Sequence, residues 1–361
     1  GDTTSNCNIK FADGTASATE NAGFIDYSHN SDYMSFGTAN TEQFRISSDG
    51  SLSTPTLGTS NVRFGVNAGD AIASGGNYNV LIGDEAGTAI TTGDQNVALG
   101  FNALQTEDTG SRSVAIGAYT LVNQNNDSST NYNTAVGYSA GNAISTATGN
   151  TLLGALAGDA LTVGNTNVAI GQSALSGDTK GDRNIAIGVA SLEAQNFTTS
   201  TDSYNIGIGY AAGTAITTGL ENTLIGGLAG DALSDADYNV AIGAHALGAD
   251  TLGSRSIAIG RSTLQTQNFT TATDSYNVAI GYGAGAAVTT GTGNTLVGGL
   301  SGDALLAAAD NVAVGYLSLS TETGGQNNVA VGPYALQNQV NSSGNIYNTA
   351  VGSQAGNDIT T

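Results

Sequence analysis

Few side chains in this sequence have the chemistry for catalysis. The two histidines, His29 and His245, lie in different regions, and the single cysteine, Cys7, has no partner for an intrachain disulfide. No nucleophile, base and orienting acid recur together, as covalent or acid–base catalysis requires. His245 sits two residues after a glycine, where equivalent stretches carry Ser, Gly or Asn, and reads as a variant of an exposed structural position. The glycine-rich stretches are each followed by another strand pattern and not by a helix start, so they are not phosphate loops. Paired acids on a groove, the glycosidase requirement, are lacking. Asp159, Asp231 and Asp303 recur at one position of the chain's repeat. Stacked four strands apart, they stand about 19 Å from one another, too far to share one ion. A calcium-binding solenoid places acids in every turn. No catalytic, cofactor or metal residue is assigned, and a structural cation on an oligomer axis is the one ion the pattern leaves open.

Recognition chemistry concentrates in four longer stretches, 118–132, 189–204, 261–276 and 333–347. Each holds an Asn-x-Ser/Thr acceptor sequence, at Asn126, Asn196, Asn268 and Asn341, and each ends on a tyrosine, Tyr132, Tyr204, Tyr276 or Tyr347. Two also carry Phe197 and Phe269. Aromatics beside amides suit a receptor- or glycan-contacting surface, and the acceptor sequences suit glycan attachment. The structural alternative is duplication of one ancestral turn whose Asn and Thr cap the backbone. Arg112, Arg183 and Arg255 precede the fourth module of successive groups, where an ion pair with a nearby Asp is expected, and Asn327 replaces the arginine in the last group.

The elements that position these stretches are set by an internal repeat. A motif of Asn, aliphatic, small, aliphatic, Gly begins seventeen times between Asn61 and Asn348, as in Asn167-Val168-Ala169-Ile170-Gly171. Its spacing is mostly 17 residues and lengthens after every fourth copy. Position nine runs Gly, Gly, Leu, Leu through each group of four, as in Gly141, Gly158, Leu175 and Leu192. Four super-repeats follow, 61–132, 133–204, 205–276 and 277–347, with a partial one at 348–361. Each motif reads as a short strand, and a fixed period with one strand per module makes neighbours parallel, as in a solenoid. Alternation sends the two large aliphatics to one face, expected to be the core, and Asn, Ala and Gly to the other. The ladder residues are exemplified by Asn133, Gly137, Asn205, Gly209, Asn277 and Gly281. Asn can stack on the Asn of the next module, and Gly supplies a turn or a close backbone approach. The run 302–309, rich in Ala and Leu, is too short for an independent helix and sits in register with Thr- and Gly-rich connectors, so it reads as a connector.

Composition bounds the rest. There are 52 Gly, 2 Pro, no Trp and 10% charged residues, and the 39% hydrophobic fraction is mostly small aliphatics, so any core is thin. A formal charge of −21 repels phosphate backbones, which excludes nucleic acid as a partner. No stretch approaches the length of a membrane-spanning segment, so no membrane insertion is expected. Residues 1–60 read as a separate small β region, with short strands at 24–29, 33–37 and 44–50 forming a β-meander. The chain is expected to be a fragment or processed piece, because it stops partway through a module. The fold class is all-β: a parallel β-roll or β-solenoid of about 17 rungs, spanning on the order of 80 Å. So few aliphatics per rung favour several chains sharing an axial core, hence a homotrimeric fibre.

The Asn-Val-Ala-Ile-Gly module resembles the head repeats of trimeric autotransporter adhesins, left-handed parallel β-rolls built by three identical chains. The longer form, as in Tyr132-Asn133-Thr134-Ala135-Val136-Gly137-Tyr138, is similar to repeats of bacteriophage tail fibres, often found upstream of a C-terminal intramolecular chaperone domain. The string 24–52 is similar to a segment of marine phage and prophage fibre proteins. The resemblance covers roughly residues 61–361. It implies a structural, non-enzymatic fibre protein of a phage tail, located in the virion and mediating attachment to the host surface. Its implied partners are itself, other virion or fibre components, and a host surface glycan or protein. The alternative is a bacterial trimeric surface adhesin or extracellular filament subunit. Ice binding is disfavoured because regular Thr-x-Thr ladders are lacking.

Overall fold

A computed structural model of the chain describes residues 6–11, 22–54, 57–126 and 130–360. Among these there is no helix, and 302–309 forms turns and coil. The chain divides into two compact units, Gly1–Tyr132 and Asn133–Thr361.

The first unit begins with a five-stranded antiparallel sheet in chain order: β1 (Cys7–Phe11), β2 (Gly23–Ser28), β3 (Tyr33–Thr38), β4 (Thr41–Ile46) and β5 (Leu52–Ser53). Ala39 and Asn40, with φ of 50° and 62°, make the two-residue turn between β3 and β4, whose handedness matches the strand twist. Arg45 forks onto the Glu42 carboxylate at 2.7 and 2.8 Å while lying over the Tyr33 ring, which staples one face of the sheet.

Four solenoid rungs complete this unit, with strands Val62–Phe64, Val80–Ile82, Val97–Leu99 and Val114–Ile116 paired parallel and in register. In the second unit thirteen further strands, from Thr134–Val136 to Thr349–Val351, pair in the same way with the next in chain order. Seventeen turns of parallel β-solenoid result, four in the first unit and thirteen in the second. Each strand holds only three residues, because the glycine at position five ends it. Gly171 has a φ of 131°, and a Cβ there would lie 2.5 Å from the carbonyl oxygen of Gly188 in the next rung. Stacked backbones in contact leave no space for a side chain.

The leading asparagines form a buried ladder. In Asn167 the backbone N–H donates to Asn150 Oδ1 at 2.8 Å, and Nδ2 donates to the carbonyl of Gly181 at 2.9 Å, closing its own rung. Asn133, Asn205 and Asn277 close their rungs likewise, onto Ala147, Gly219 and Gly291. Each amide thereby satisfies backbone groups that burial would otherwise orphan.

The large aliphatics of the motif lie outside, contrary to the sequence expectation. Asn167 and Ala169 are fully buried, whereas Val168 and Ile170 are partly exposed, and this pattern recurs from rung to rung. The interior of a 17-residue turn is narrow, and the asparagine, the small third residue and the side chains at positions nine and twelve already fill it. The β-branched residues stack on their neighbours along the outer face instead.

Volume compensation inside explains the four-rung period. In residues 133–204 the third position runs Ala135, Leu152, Ala169, Ala186; the ninth runs Gly141, Gly158, Leu175, Leu192; the twelfth runs Ile144, Leu161, Asp178, Gln195. A Cβ on Gly158 would come within 2.9 Å of both Leu152 and Leu161, so that layer is full without it. Where the third residue is Ala and the twelfth is polar, Leu175 and Leu192 fill the gap, fully buried.

Candidate functional site

The four long connectors are tied down by a feature that was not read from the sequence. At position twelve of each third rung stands a fully buried acid: Glu107, Asp178, Asp250 or Glu322. The residue 17 positions on is a buried glutamine, and its Nε2 donates to the acid at 2.7, 2.6, 2.6 and 2.7 Å respectively. The carboxylate also collects backbone amides of its own turn, from Gly110, Gly181, Gly253 and Gly325. It then reaches the start of the long connector: the amides of Asn126, Phe197, Phe269 and Asn341 all donate to it. On its other side the glutamine oxygen accepts Nδ2 of the next leading asparagine, Asn205 at 2.9 Å and Asn277 at 2.8 Å. An ionised carboxylate only accepts hydrogen bonds, so it sets the direction in which the following amides point.

Equivalent acids differ in how well they are solvated by the protein. Burial pushes the Asp178 carboxyl above its ordinary range, and its hydrogen bonds from Gln195 and backbone amides offset only part of this. Burial acts the same way on Glu322, but donors from the Asn341 and Gln339 side chains and from the amides of Gly325 and Asn341 outweigh it and hold that carboxyl below its ordinary range.

This anchoring decides where the sequence-derived candidates lie. Phe197 and Phe269 are buried, with only 6% of their surface exposed, which removes both from any accessible aromatic surface. Phe269 packs over Gly253 of the rung before, where a Cβ would approach its ring to 2.8 Å. Tyr132, Tyr204, Tyr276 and Tyr347 are exposed, at 62, 48, 59 and 67%. Asn196 and Asn268 are exposed, and their Oδ1 atoms accept from Thr179 and Thr251 at 2.9 and 3.1 Å. Asn341 is half-buried, and its Nδ2, the atom a glycan would join, donates to Glu322 at 3.0 Å. Asn126 is half-buried, and the rest of its acceptor sequence, Asp127 and Ser128, lies outside the described residues.

Further cross-links hold the far side of each connector. Thr201–Asp202 pairs in parallel with Gly181–Asp182, Thr273–Asp274 with Gly253–Ser254, and Gly344–Asn345 with Gly325–Gln326. Arg183 pairs with Asp202 and Arg255 with Asp274. Arg112 instead donates to Gln95 Oε1 at 2.8 Å and Thr130 Oγ1 at 2.9 Å, and Asn327 donates to Asn345 at 3.0 Å. Position and partner are conserved in geometry while the chemistry changes. The guanidinium of Arg183 stands 5.7 Å from the Tyr204 ring centre, and that of Arg112 stands 6.0 Å from Tyr132.

The remaining titratable candidates do not converge. Asp159, Asp231 and Asp303 are half-buried, and burial raises the pKa of each. One oxygen of Asp159 and one of Asp303 are shut off from solvent without a hydrogen bond. Among the described residues no group of three or more His, Cys, Asp or Glu side chains is arranged to hold a metal. His29 lies in the first unit, 3.3 Å from Cys7 Sγ, while His245 lies on a turn in the second.

The buried acid and glutamine had a signal in the sequence. Aligned by rung, position twelve runs aliphatic, aliphatic, acid, glutamine in every group of four. Reading that column, rather than the strand motif alone, finds them. Compared with known proteins, the chain matches no family model, no curated protein and no solved structure.

Proposed function

We propose that this chain is a structural fibre segment: the shaft of a homotrimeric phage tail fibre, non-enzymatic and without cofactor, serving attachment to a host cell. One observation carries the reading. Each rung hands the same strand register to the next, with an asparagine leading twelve of the thirteen rungs of the second unit and Ser256 the other, so these rungs extend for about 58 Å as one continuous parallel stack. Such a stack is a spacer by construction, since every rung contacts only its neighbours. The Asn-Val-Ala-Ile-Gly resemblance supports placing it in the virion, next to other fibre components. The exposed Tyr204 and Tyr276 and the hydroxyl-rich tips at 198–200 and 270–272 are the surfaces offered to a host glycan or protein. The strongly acidic balance speaks against nucleic acid as a partner.

Negative-stain images of the purified chain test the shaft, with thin rods expected and round particles overturning it. Immunogold labelling separates the two cellular settings: gold on phage tails supports the virion reading, and gold on bacterial surfaces supports the alternative, a trimeric surface adhesin or filament subunit.

A further inference from the structure

The four Asn-x-Ser/Thr sequences do not occupy one place in the fold. In every group the backbone amide that reaches the buried acid belongs to the residue nineteen positions after it: Asn126, Phe197, Phe269 or Asn341. In the first and last groups this anchored residue is the asparagine of the acceptor sequence itself. In the two middle groups the asparagine comes one residue earlier, and phenylalanine takes the anchor. A shift of one residue sends a side chain to the opposite side of an extended segment. Asn341 accordingly turns inward, half-buried, with Nδ2 donating to Glu322 at 3.0 Å. Asn126 is half-buried beside Glu107. Asn196 and Asn268 turn outward and are exposed.

Burial alternates along both middle sequences. Asn196 and Thr198 are exposed on either side of buried Phe197, and Asn268 and Thr270 on either side of buried Phe269. Amide and hydroxyl of each acceptor sequence therefore share the solvent-facing side. Each amide oxygen accepts from a threonine hydroxyl of the rung before, Thr179 at 2.9 Å and Thr251 at 3.1 Å. Among the described residues nothing accepts from Nδ2 of Asn196 or Asn268, and nothing bonds the hydroxyl of Thr198 or Thr270. A turn kept for backbone capping engages such groups on the main chain, as Asn167 engages Nδ2 on the Gly181 carbonyl. None of these four side chains does so, which leaves two complete acceptor sequences with their reactive groups in solvent.

We propose that Asn196 and Asn268 are acceptor sites for an N-linked sugar in the folded chain, and that Asn126 and Asn341 are not. The co-substrate class is a sugar activated by a diphosphate at its anomeric carbon, delivered by a separate glycosyltransferase. Nδ2 attacks that carbon, and the N–C bond forms as the bond from carbon to the diphosphate oxygen breaks. The diphosphate leaves with the electron pair, and one Nδ2 proton passes to a base of the transferase. The contact of Oδ1 with Thr179 or Thr251 is untouched, so no buried bond is lost. The two sites lie four rungs apart, about 19 Å along the stack. Nothing in this proposal depends on the fibre reading above.

The full chain, made in a host without N-glycosylation, is incubated with a transferase that moves glucose from its uridine diphosphate ester onto Asn-x-Ser/Thr, and its peptides are mapped by mass spectrometry. One hexose is expected on each of the Asn196 and Asn268 peptides, at least about tenfold more than on those of Asn126 and Asn341. Peptides cut from the chain before the reaction should lose that preference. Label on Asn341 of the folded chain equal to that on Asn196 overturns the proposal, and so does the absence of label at Asn196 and Asn268. Thr198→Ala and Thr270→Ala remove the acceptor sequence at exposed, unbonded positions, so the β-type circular dichroism spectrum should stay and the label should vanish; retained label overturns the proposal. Finally, Val340→Asn, Asn341→Phe and Ser342→Thr together move the last acceptor sequence one residue earlier, into the register of the middle groups. Position 340 should then take the sugar in the folded chain, and its failure to do so overturns the role of register.

Discussion

Individual residues in this solenoid carry weight according to the layer they fill. Leu247 is fully buried at position nine of a rung whose third residue is Ala241 and whose twelfth is Asp250, so it is the main aliphatic volume of that layer. Leu247→Ala should destabilise the rungs around it by about 2–5 kcal/mol, the range for a large-to-small change in a core that cannot collapse. Hydrogen exchange of amides 239–264 is the measurement, because a repeat array opens locally and one global transition would average the effect away. Asn205 belongs to the same class for a polar reason. Its side chain donates to Gln195 and to the Gly219 carbonyl and accepts from the backbone N–H of Asn222. Asn205→Ala leaves those buried groups unpaired, at a cost of about 1–3 kcal/mol for each group left without a partner, and faster exchange of the 205–225 amides should report it.

At the scale of elements, the long connectors divide into a buried anchor and an exposed brace, and these differ in strength. Asp250 holds the 268–276 connector from the interior through Gln267 and the Phe269 amide. Asp250→Asn turns one carboxylate oxygen into an NH2. Gln267 cannot turn over because its oxygen already accepts from Asn277, so the Asn oxygen goes to Gln267 or to the Gly253 and Phe269 amides but not to both, and the retained Gln267 bond leaves the Phe269 amide facing a donor. The Phe269 amide should lose protection by at least about tenfold, while the Phe197 amide, anchored on Asp178, keeps its own. Equal protection of both amides in the variant would show that the anchor is not needed. Arg255 and Asp274 form the exposed brace of the same connector, and Arg255→Gln should leave the thermal unfolding midpoint nearly unchanged, because both groups are well exposed to solvent.

At the scale of the molecule, charge and burial combine into a pH response. Burial raises the carboxyls of Asp159, Asp231 and Asp303, so the folded chain holds their protons more tightly than the unfolded chain does. Their contribution to stability is fully present below the ordinary carboxylate range, about pH 4, and is lost as pH rises through the raised values. Glu322 runs the opposite way: its contribution is present above the ordinary range and is lost as pH falls through its lowered value. Mild acidification from neutral pH should therefore raise the melting temperature. The triple change of Asp159, Asp231 and Asp303 to Asn should reduce that rise, and an equal rise in the variant would assign it to Asp178, whose carboxyl burial also raises, and to the net charge of −21.

The period of 17, its interruption after every fourth copy, and the parallel all-β architecture follow from the sequence by itself. Local rules are enough for these: a three-residue alternation, a glycine that ends the strand, and an asparagine whose amide can satisfy two rungs. Which side of the strand became the interior was decided only by the tertiary structure. Alternation defines two faces but ranks them only by hydrophobicity, and here that ranking fails. A turn of 17 residues closes around a space that Asn167, Ala169 and Leu175 fill, so Val168 and Ile170 are left outside. The same closure took Phe197 and Phe269 off the surface and drew Asp178 and Asp250 inside. Phenylalanine in a polar loop and aspartate in a connector give no local sign of burial. Their placement depends on contacts with residues about 17 positions away in the chain, which become neighbours only when the rungs stack.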